Sequence, residues 1–247
     1  MKAHVSPSII LRIKEIGESD LIVTFFSADR GRLRGIAKGA RRSRRRFVNC
    51  LDHFCLSTLE YTEKPGRDLC FLQSGKLLEN FPSLRSDYTL LSLGGYLVEL
   101  TEILFPLRVA DPAMFNLLKK CLGALHEGKE RDTLRVLFEA RAMTLGGYEI
   151  QLHECTICKR SYEGQGRAVF KAERGGIACL RCAKETTESP GMNPLSVKTL
   201  DRLQSGWWPE RASLHLEEEV IQELRPVLTR HIEYRIGRRL KTSACLG

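Results

Sequence analysis

The chain has 247 residues, 43% hydrophobic and 28% charged, with 20 Gly and 9 Pro, a composition that suits one large or two modest globular domains and excludes disordered and fibrous classes. Its first residues lack the charged and apolar regions of a signal peptide, and no stretch approaches the ~18 uninterrupted apolar residues of a membrane span, so the expected localisation is cytoplasmic. The formal charge of +9 is concentrated: Arg30 to Leu51 carries nine Lys and Arg and no acid, while the rest of the chain balances at 30 basic against 30 acidic residues.

Five short runs with strand character open the chain: Ser8–Lys14, Leu21–Ser27, Leu33–Lys38, Phe54–Tyr61 and Leu69–Leu77. Turn residues such as Gly17-Glu18-Ser19-Asp20 and Asp29-Arg30-Gly31 separate the first three. Five strands of this size suit a small barrel of the oligonucleotide-binding (OB) type, although spacing alone admits other barrels. The third strand runs directly into the arginine cluster, which puts that cluster on a loop or strand end.

Helical periodicity follows. One helix is expected from near Pro82 to Pro106, a second from Asp111-Pro112 to Gly128, and a third from near Asp132 to Gly146-Gly147. Asn193-Pro194 starts another, and a last apolar pattern runs from Leu216 to Lys241 with Pro226 expected to break or kink it. The fold class is therefore α+β: an N-terminal five-stranded OB-like β-barrel, an α-helical bundle and an inserted four-cysteine zinc module. The expected domains are 1–79 (OB fold), 80–151 (helical), 152–186 (zinc module) and 187–247 (C-terminal helices packing back on the helical domain).

The zinc reading rests on Cys155-Thr156-Ile157-Cys158 and Cys179-Leu180-Arg181-Cys182, two C-x-x-C knuckles with twenty residues between them. Two such turns can close a tetrahedron of thiolates around one structural Zn2+ and leave no open position for activated water. Redox-active dithiols and unliganded thiols are the competing readings; a thioredoxin-like pair would need a βαβ setting. A deaminase would need H-x-E, which His153-Glu154-Cys155 does not supply. Without a G-x-x-x-x-G-K-[ST] run either, no enzyme is expected.

Nine like charges repel one another, and that repulsion favours a polyanionic partner over a merely solvated loop. A nucleic acid is the favoured partner, an acidic protein or an anionic membrane surface the competing ones, and Arg32, Arg34, Lys38, Arg41, Arg42, Arg44, Arg45 and Arg46 are the candidate DNA-binding residues. Phe47, Phe54 and Tyr61 could stack on bases, but each suits a core position at least as well.

Four segments together resemble the bacterial RecO DNA-repair proteins: Gly17-Glu18-Ser19-Asp20, Gly31-Arg32-Leu33-Arg34, Ala37-Lys38-Gly39-Ala40-Arg41-Arg42, and Glu233-Tyr234-Arg235-Ile236-Gly237-Arg238-Arg239-Leu240-Lys241. The order of barrel, helices and inserted zinc segment is similar too. The resemblance implies a recombination mediator that binds single- and double-stranded DNA and anneals complementary strands. It also implies action with RecR to load RecA on strands coated by single-stranded-DNA-binding protein (SSB), whose acidic C-terminal tail docks on the helical domain. The rival reading is a zinc-ribbon transcription or RNA-binding factor without annealing activity.

Overall fold

A computed structural model describes residues 2–64, 66–206 and 215–246. Two compact units divide the chain, Met1–Glu127 and Gly128–Cys245.

In the first unit β1 (Lys2–Ile16), β2 (Asp20–Ser27), β3 (Gly31–Ala37), β4 (Leu56–Glu63) and β5 (Leu69–Glu79) close a barrel in the order β1-β2-β3-β5-β4. The long first strand makes closure possible, because its first half pairs with β4 and its second half with β2. A register shift between Ile10 and Arg12 bends β1 at the changeover, the ordinary effect of a bulge. It also explains why Ile9, Ile10 and Leu11 are buried in succession where plain alternation would expose one of them. Strand β3 does alternate, with Gly31, Leu33, Gly35 and Ala37 buried, and it seals the barrel by a short parallel pairing from Arg34–Leu69 to Ile36–Phe71.

Helices α1 (Ser83–Ser86), α2 (Tyr88–Leu104) and α3 (Pro112–His126) complete this unit. The single helix expected from Pro82 is interrupted at Asp87, whose extended backbone and side-chain bond to the Leu90 N–H restart it as an N-cap. Asp111 caps α3 through the Met114 N–H with Pro112 in the first turn, as the sequence indicated. On the outer face of β2, Phe26 meets Phe105 edge-on and Phe115 face-on, with centroids 6.3 and 6.4 Å away; this joins the helices to the barrel.

The second unit contains α4 (Arg131–Leu145), β6 (Ala168–Lys171), β7 (Gly176–Cys179), β8 (Gly191–Met192), α5 (Pro194–Gln204) and α6 (Glu218–Ile236). Helix α4 packs against α5 and α6, and the strands form a sheet in the order β7-β6-β8. The expected break at Pro226 does not occur. Pro226 and Gln222, whose carbonyl loses its helical partner, are both on the exposed face, where water can take the orphaned bond. The buried Gln204 amide accepts from the Ile150 N–H at 2.9 Å and donates to the Ile150 carbonyl at 3.1 Å, which fixes the chain just ahead of the cysteine segment.

Candidate nucleic-acid interface and metal centre

The arginine segment is a loop tied into the barrel by its own apolar residues. Ala40, Phe47, Cys50 and Leu51 belong to the same buried cluster as Ile10, Val23 and Phe25. Backbone bonds add to this anchoring: Gly75 N–H donates to the Arg46 carbonyl at 2.7 Å, and the Ser57 hydroxyl donates to the Cys50 carbonyl at 2.7 Å. Gly75 leaves room for the approach, since a Cβ there would lie 2.7 Å from the Cys50 sulfur. Where the loop leaves β3, Gly39 takes a left-handed conformation at φ 66°, and its N–H donates to the Asp20 carboxylate at 2.8 Å. A 3-10 turn, Ala40–Arg42, follows. A flexible basic tail would have none of these constraints.

Of the eight candidate residues, seven are exposed and Arg32 is half-buried. The Arg32 side chain lies 3.9 Å from the Glu102 carboxylate of α2, and burial pulls its guanidinium below the usual arginine range. Arg41 pairs with Glu15 at 3.0 Å and Arg42 with Glu18 at 3.2 Å. Arg46 donates to the Lys38 carbonyl and stacks over Phe47. Arg34, Lys38, Arg44 and Arg45 are exposed and in no ion pair among the described residues. Phe47, Phe54 and Tyr61 are 5, 3 and 0% exposed, so they are core aromatics and offer no ring face to a base. The pairing acids Glu15, Glu18 and Glu102 are a part of the site that alternation and charge counting did not reveal.

The four cysteines converge in the second unit. The Sγ atoms of Cys155, Cys158, Cys179 and Cys182 all lie within 4.8 Å of one another, with Cys158 and Cys179 3.9 Å apart. A tetrahedral centre with metal–sulfur bonds of about 2.3 Å requires sulfurs about 3.8 Å apart, so the donor set and its spacing fit a thiophilic ion. Secondary structure imposes this geometry. The β6–β7 hairpin carries Cys179, and the Thr156 N–H donates to the Ile177 carbonyl, which seats the first knuckle beside the second. Lys159 at φ 62° closes the first turn, and its N–H returns to the Cys155 carbonyl.

The thiols are electrostatically uneven. Burial pushes Cys155 up, but the backbone N–H groups of Cys158, Cys179 and Ile157 outweigh it and bring the thiol down to about 6. Cys182 is raised to about 12 because it hydrogen-bonds to the sulfurs of Cys158 and Cys179. Such a cluster can hold a metal ion. His153 is exposed and stands beside Asp201, outside the cluster. Of the other cysteines, Cys50, Cys55, Cys70 and Cys121 are buried and Cys245 is exposed; burial pushes Cys50 up to about 11 and Cys70 up to about 12, as befits inert core thiols.

The C-terminal cations are largely engaged within their own unit: Arg225 with Asp132, Arg230 with Glu188, Arg239 with Glu233. No helix among the described residues is long and apolar enough to cross a membrane.

Comparison with known proteins agrees with this architecture. Two family models match in tandem, "Recombination protein O N terminal" over residues 1–81 and "Recombination protein O C terminal" over residues 85–244. The "DNA repair protein RecO" of Syntrophus aciditrophicus (strain SB) is 33% identical over 242 residues, 97% of this chain and 93% of that protein. The protein of the same name from Anaeromyxobacter sp. (strain K) is 34% identical over 94% of this chain and 91% of its own, and that from Syntrophobacter fumaroxidans is 38% identical over 72% and 71%. The tandem order of both family segments, over a closed barrel and a four-cysteine cluster, leaves one conclusion: the chain belongs to the RecO family and has a role in DNA repair and recombination.

Proposed function

We propose that this protein is a non-catalytic recombination mediator that binds single- and double-stranded DNA without sequence preference, anneals complementary strands, and with RecR helps load RecA on SSB-coated strands. The observation that carries the reading is the acid-free arginine loop, anchored in the barrel core by Ala40 and Phe47 with its cations turned to solvent. A fixed array of cations lowers the mutual repulsion of two phosphate chains, and base pairing then supplies the driving force, so annealing needs no reacting group. In this reading residues 1–79 act as the DNA-binding domain, helices within 80–151 receive the acidic SSB tail, 152–186 form the module holding one structural Zn2+, and the C-terminal helices of 187–247 pack back on the helical segment through α4. The protein works in the cytoplasm, on the nucleoid.

The test is annealing of complementary oligonucleotides, bare and SSB-coated, by the wild type and by a variant with Arg41, Arg42, Arg44, Arg45 and Arg46 replaced by Ala. The wild type is expected to anneal both substrates, and the variant to lose most binding and annealing at unchanged zinc content. Undiminished binding by the variant would refute the reading.

A further inference from the structure

Five Arg in six positions, Arg41 to Arg46, ought to drive one another apart, yet the loop is ordered against the barrel. Its counter-charge comes from the end of the β1–β2 hairpin, with Glu15 in the last turn-proximal residues of β1 and Glu18 in the turn itself. Glu15 reaches Arg41 at 3.0 Å, Glu18 reaches Arg42 at 3.2 Å, and the Glu18 carbonyl accepts from the Arg41 guanidinium at 3.4 Å. The turn also grips the loop backbone, with the Ser19 carbonyl accepting from the Arg41 N–H at 3.0 Å and the Asp20 carboxylate from the Gly39 N–H at 2.8 Å. Two kinds of contact thus come from one hairpin end, Glu15 to Asp20. The backbone contacts are partly buried and hold shape; the carboxylate pairs are open to water, with the Glu15 and Glu18 side chains 64 and 87% exposed.

The geometry points to the end of the β1–β2 hairpin as an internal stand-in for the phosphate chain: Glu15 and Glu18 occupy Arg41 and Arg42 in the free protein and surrender them to a polyanionic strand. The inference rests on the reading of the arginine loop as the DNA interface, and concerns its regulation. Solvent-exposed ion pairs are weak and screened by salt, so a phosphate oxygen can replace a carboxylate oxygen at little cost. The replacement also suits the guanidinium, which takes phosphate and carboxylate in the same two-pronged geometry. Arg44 and Arg45, free of carboxylates among the described residues, are the first to meet a strand, and Arg41 and Arg42 follow as their acids let go. The result is a moderated grip, since part of the favourable charge pairing is already satisfied before DNA arrives. A strand-annealing protein benefits from that, because the product duplex has to be released.

The experiment measures binding of a fluorescent oligothymidylate at low and moderate salt to four full-length proteins: wild type, E15Q/E18Q, R41A/R42A, and the quadruple variant. E15Q/E18Q is expected to bind more tightly than wild type by roughly three- to tenfold, the worth of two exposed ion pairs. The same Glu substitutions are expected to give a much smaller gain in the R41A/R42A background, since the competing contact is already gone. An equal gain in both backgrounds would mean a general field effect and would overturn the proposal; so would no gain at all in a wild type that binds. Arg44→Ala/Arg45→Ala serves as the separate control for the parent reading: if the wild type fails to bind, or this control binds undiminished, the DNA-interface assignment fails and takes the inference with it. Melting temperatures within a degree or so of wild type establish that the Glu variants retain the barrel.

Discussion

Arg46 carries its guanidinium 5.2 Å from the centroid of the Phe47 ring, and Phe47 itself is only 5% exposed. The charged surface and the barrel core therefore meet at adjacent residues. Removing the ring should act on both. Phe47→Ala is expected to destabilise the barrel by about 3–5 kcal/mol, the usual cost of emptying a core phenylalanine site. It should also weaken DNA binding although no cation has been removed, while Phe47→Leu restores most of each property. Urea denaturation and oligonucleotide binding on the same three proteins check this.

Arg44→Ala/Arg45→Ala separates charge from fold. Both side chains are exposed and in no ion pair among the described residues, so their loss should leave the melting temperature almost unchanged. Each phosphate contact removed lowers the log–log salt slope on single strands by about 0.7; the double variant should lose about 1.4 from the wild-type slope. A titration series over potassium chloride measures it, and an unchanged slope would exclude these two arginines from the phosphate contact.

Much of this was legible in the sequence because the signals are short-range. The five strands followed from alternation and turn residues, and the caps Asp111 and Asn193 followed from local chemistry that the structure repeats, each side chain accepting from an N–H three residues on. The cysteine quartet was readable from spacing. The misreadings share a physical reason. The helix expected from near Pro82 is interrupted at Asp87, whose cap bond starts a new helix that the apolar pattern alone does not separate from the first. Pro226, expected to break or kink the last helix, does not break it, because exposure of the Gln222 turn makes the lost bond cheap. What covers Arg32, and which acids face Arg41 and Arg42, depends on chain closure over distances that no local pattern encodes; Glu102 lies seventy positions from Arg32.

Metal removal should reach beyond the knuckles. The β6 strand, hairpin partner of the β7 strand that ends at Cys179, is buried throughout Ala168, Val169 and Phe170, and it pairs with β8 as well as with β7. Arg167 donates to Glu185 at 2.6 Å and to Glu223 of α6 at 2.8 Å, and Glu223 in turn accepts from the Asn193 N–H at the start of α5. A chelator strong enough to strip a metal ion from the four cysteines is therefore expected to raise proteolysis first between residues 152 and 186 and then in the α5–α6 region, while the barrel unit stays resistant. Zinc should titrate back at one ion per chain, and Cys155→Ser should behave like the chelated protein. Resistance of the whole second unit after complete zinc loss would contradict this coupling.

His231 supplies a pH signature for the same unit. It is fully buried on α6, its Nε2–H donates to the Tyr148 carbonyl at 2.7 Å, and its ring meets Phe170 edge-on at 5.7 Å. Nδ1 finds no donor, which is the arrangement of a neutral Nε2–H imidazole. Burial is the largest cause of its low basicity and outweighs the carbonyl, leaving the group at about 4 against an ordinary value of 6.5. The sign follows. Above pH 6.5 both folded and unfolded chains carry the neutral ring and His231 adds no pH dependence. Between pH 6.5 and 4 the unfolded chain takes up a proton that the folded chain refuses, so stability falls with pH; at about 1.4 kcal/mol per unit the loss approaches roughly 3 kcal/mol by pH 4. His231→Gln keeps a donor for the Tyr148 carbonyl and cannot titrate. Its second unit should be somewhat less stable at pH 7.5 and should lose less stability on acidification than the wild type does, read as the difference in melting temperature between pH 7.5 and 5.5 with zinc in excess. Because metal ligation by thiolates itself weakens in acid, the comparison is made between the two proteins at each pH, where the metal contribution is common and only the imidazole differs; parallel pH profiles would show that His231 titrates alike in the folded and unfolded chains and would overturn the assignment of a depressed pKa.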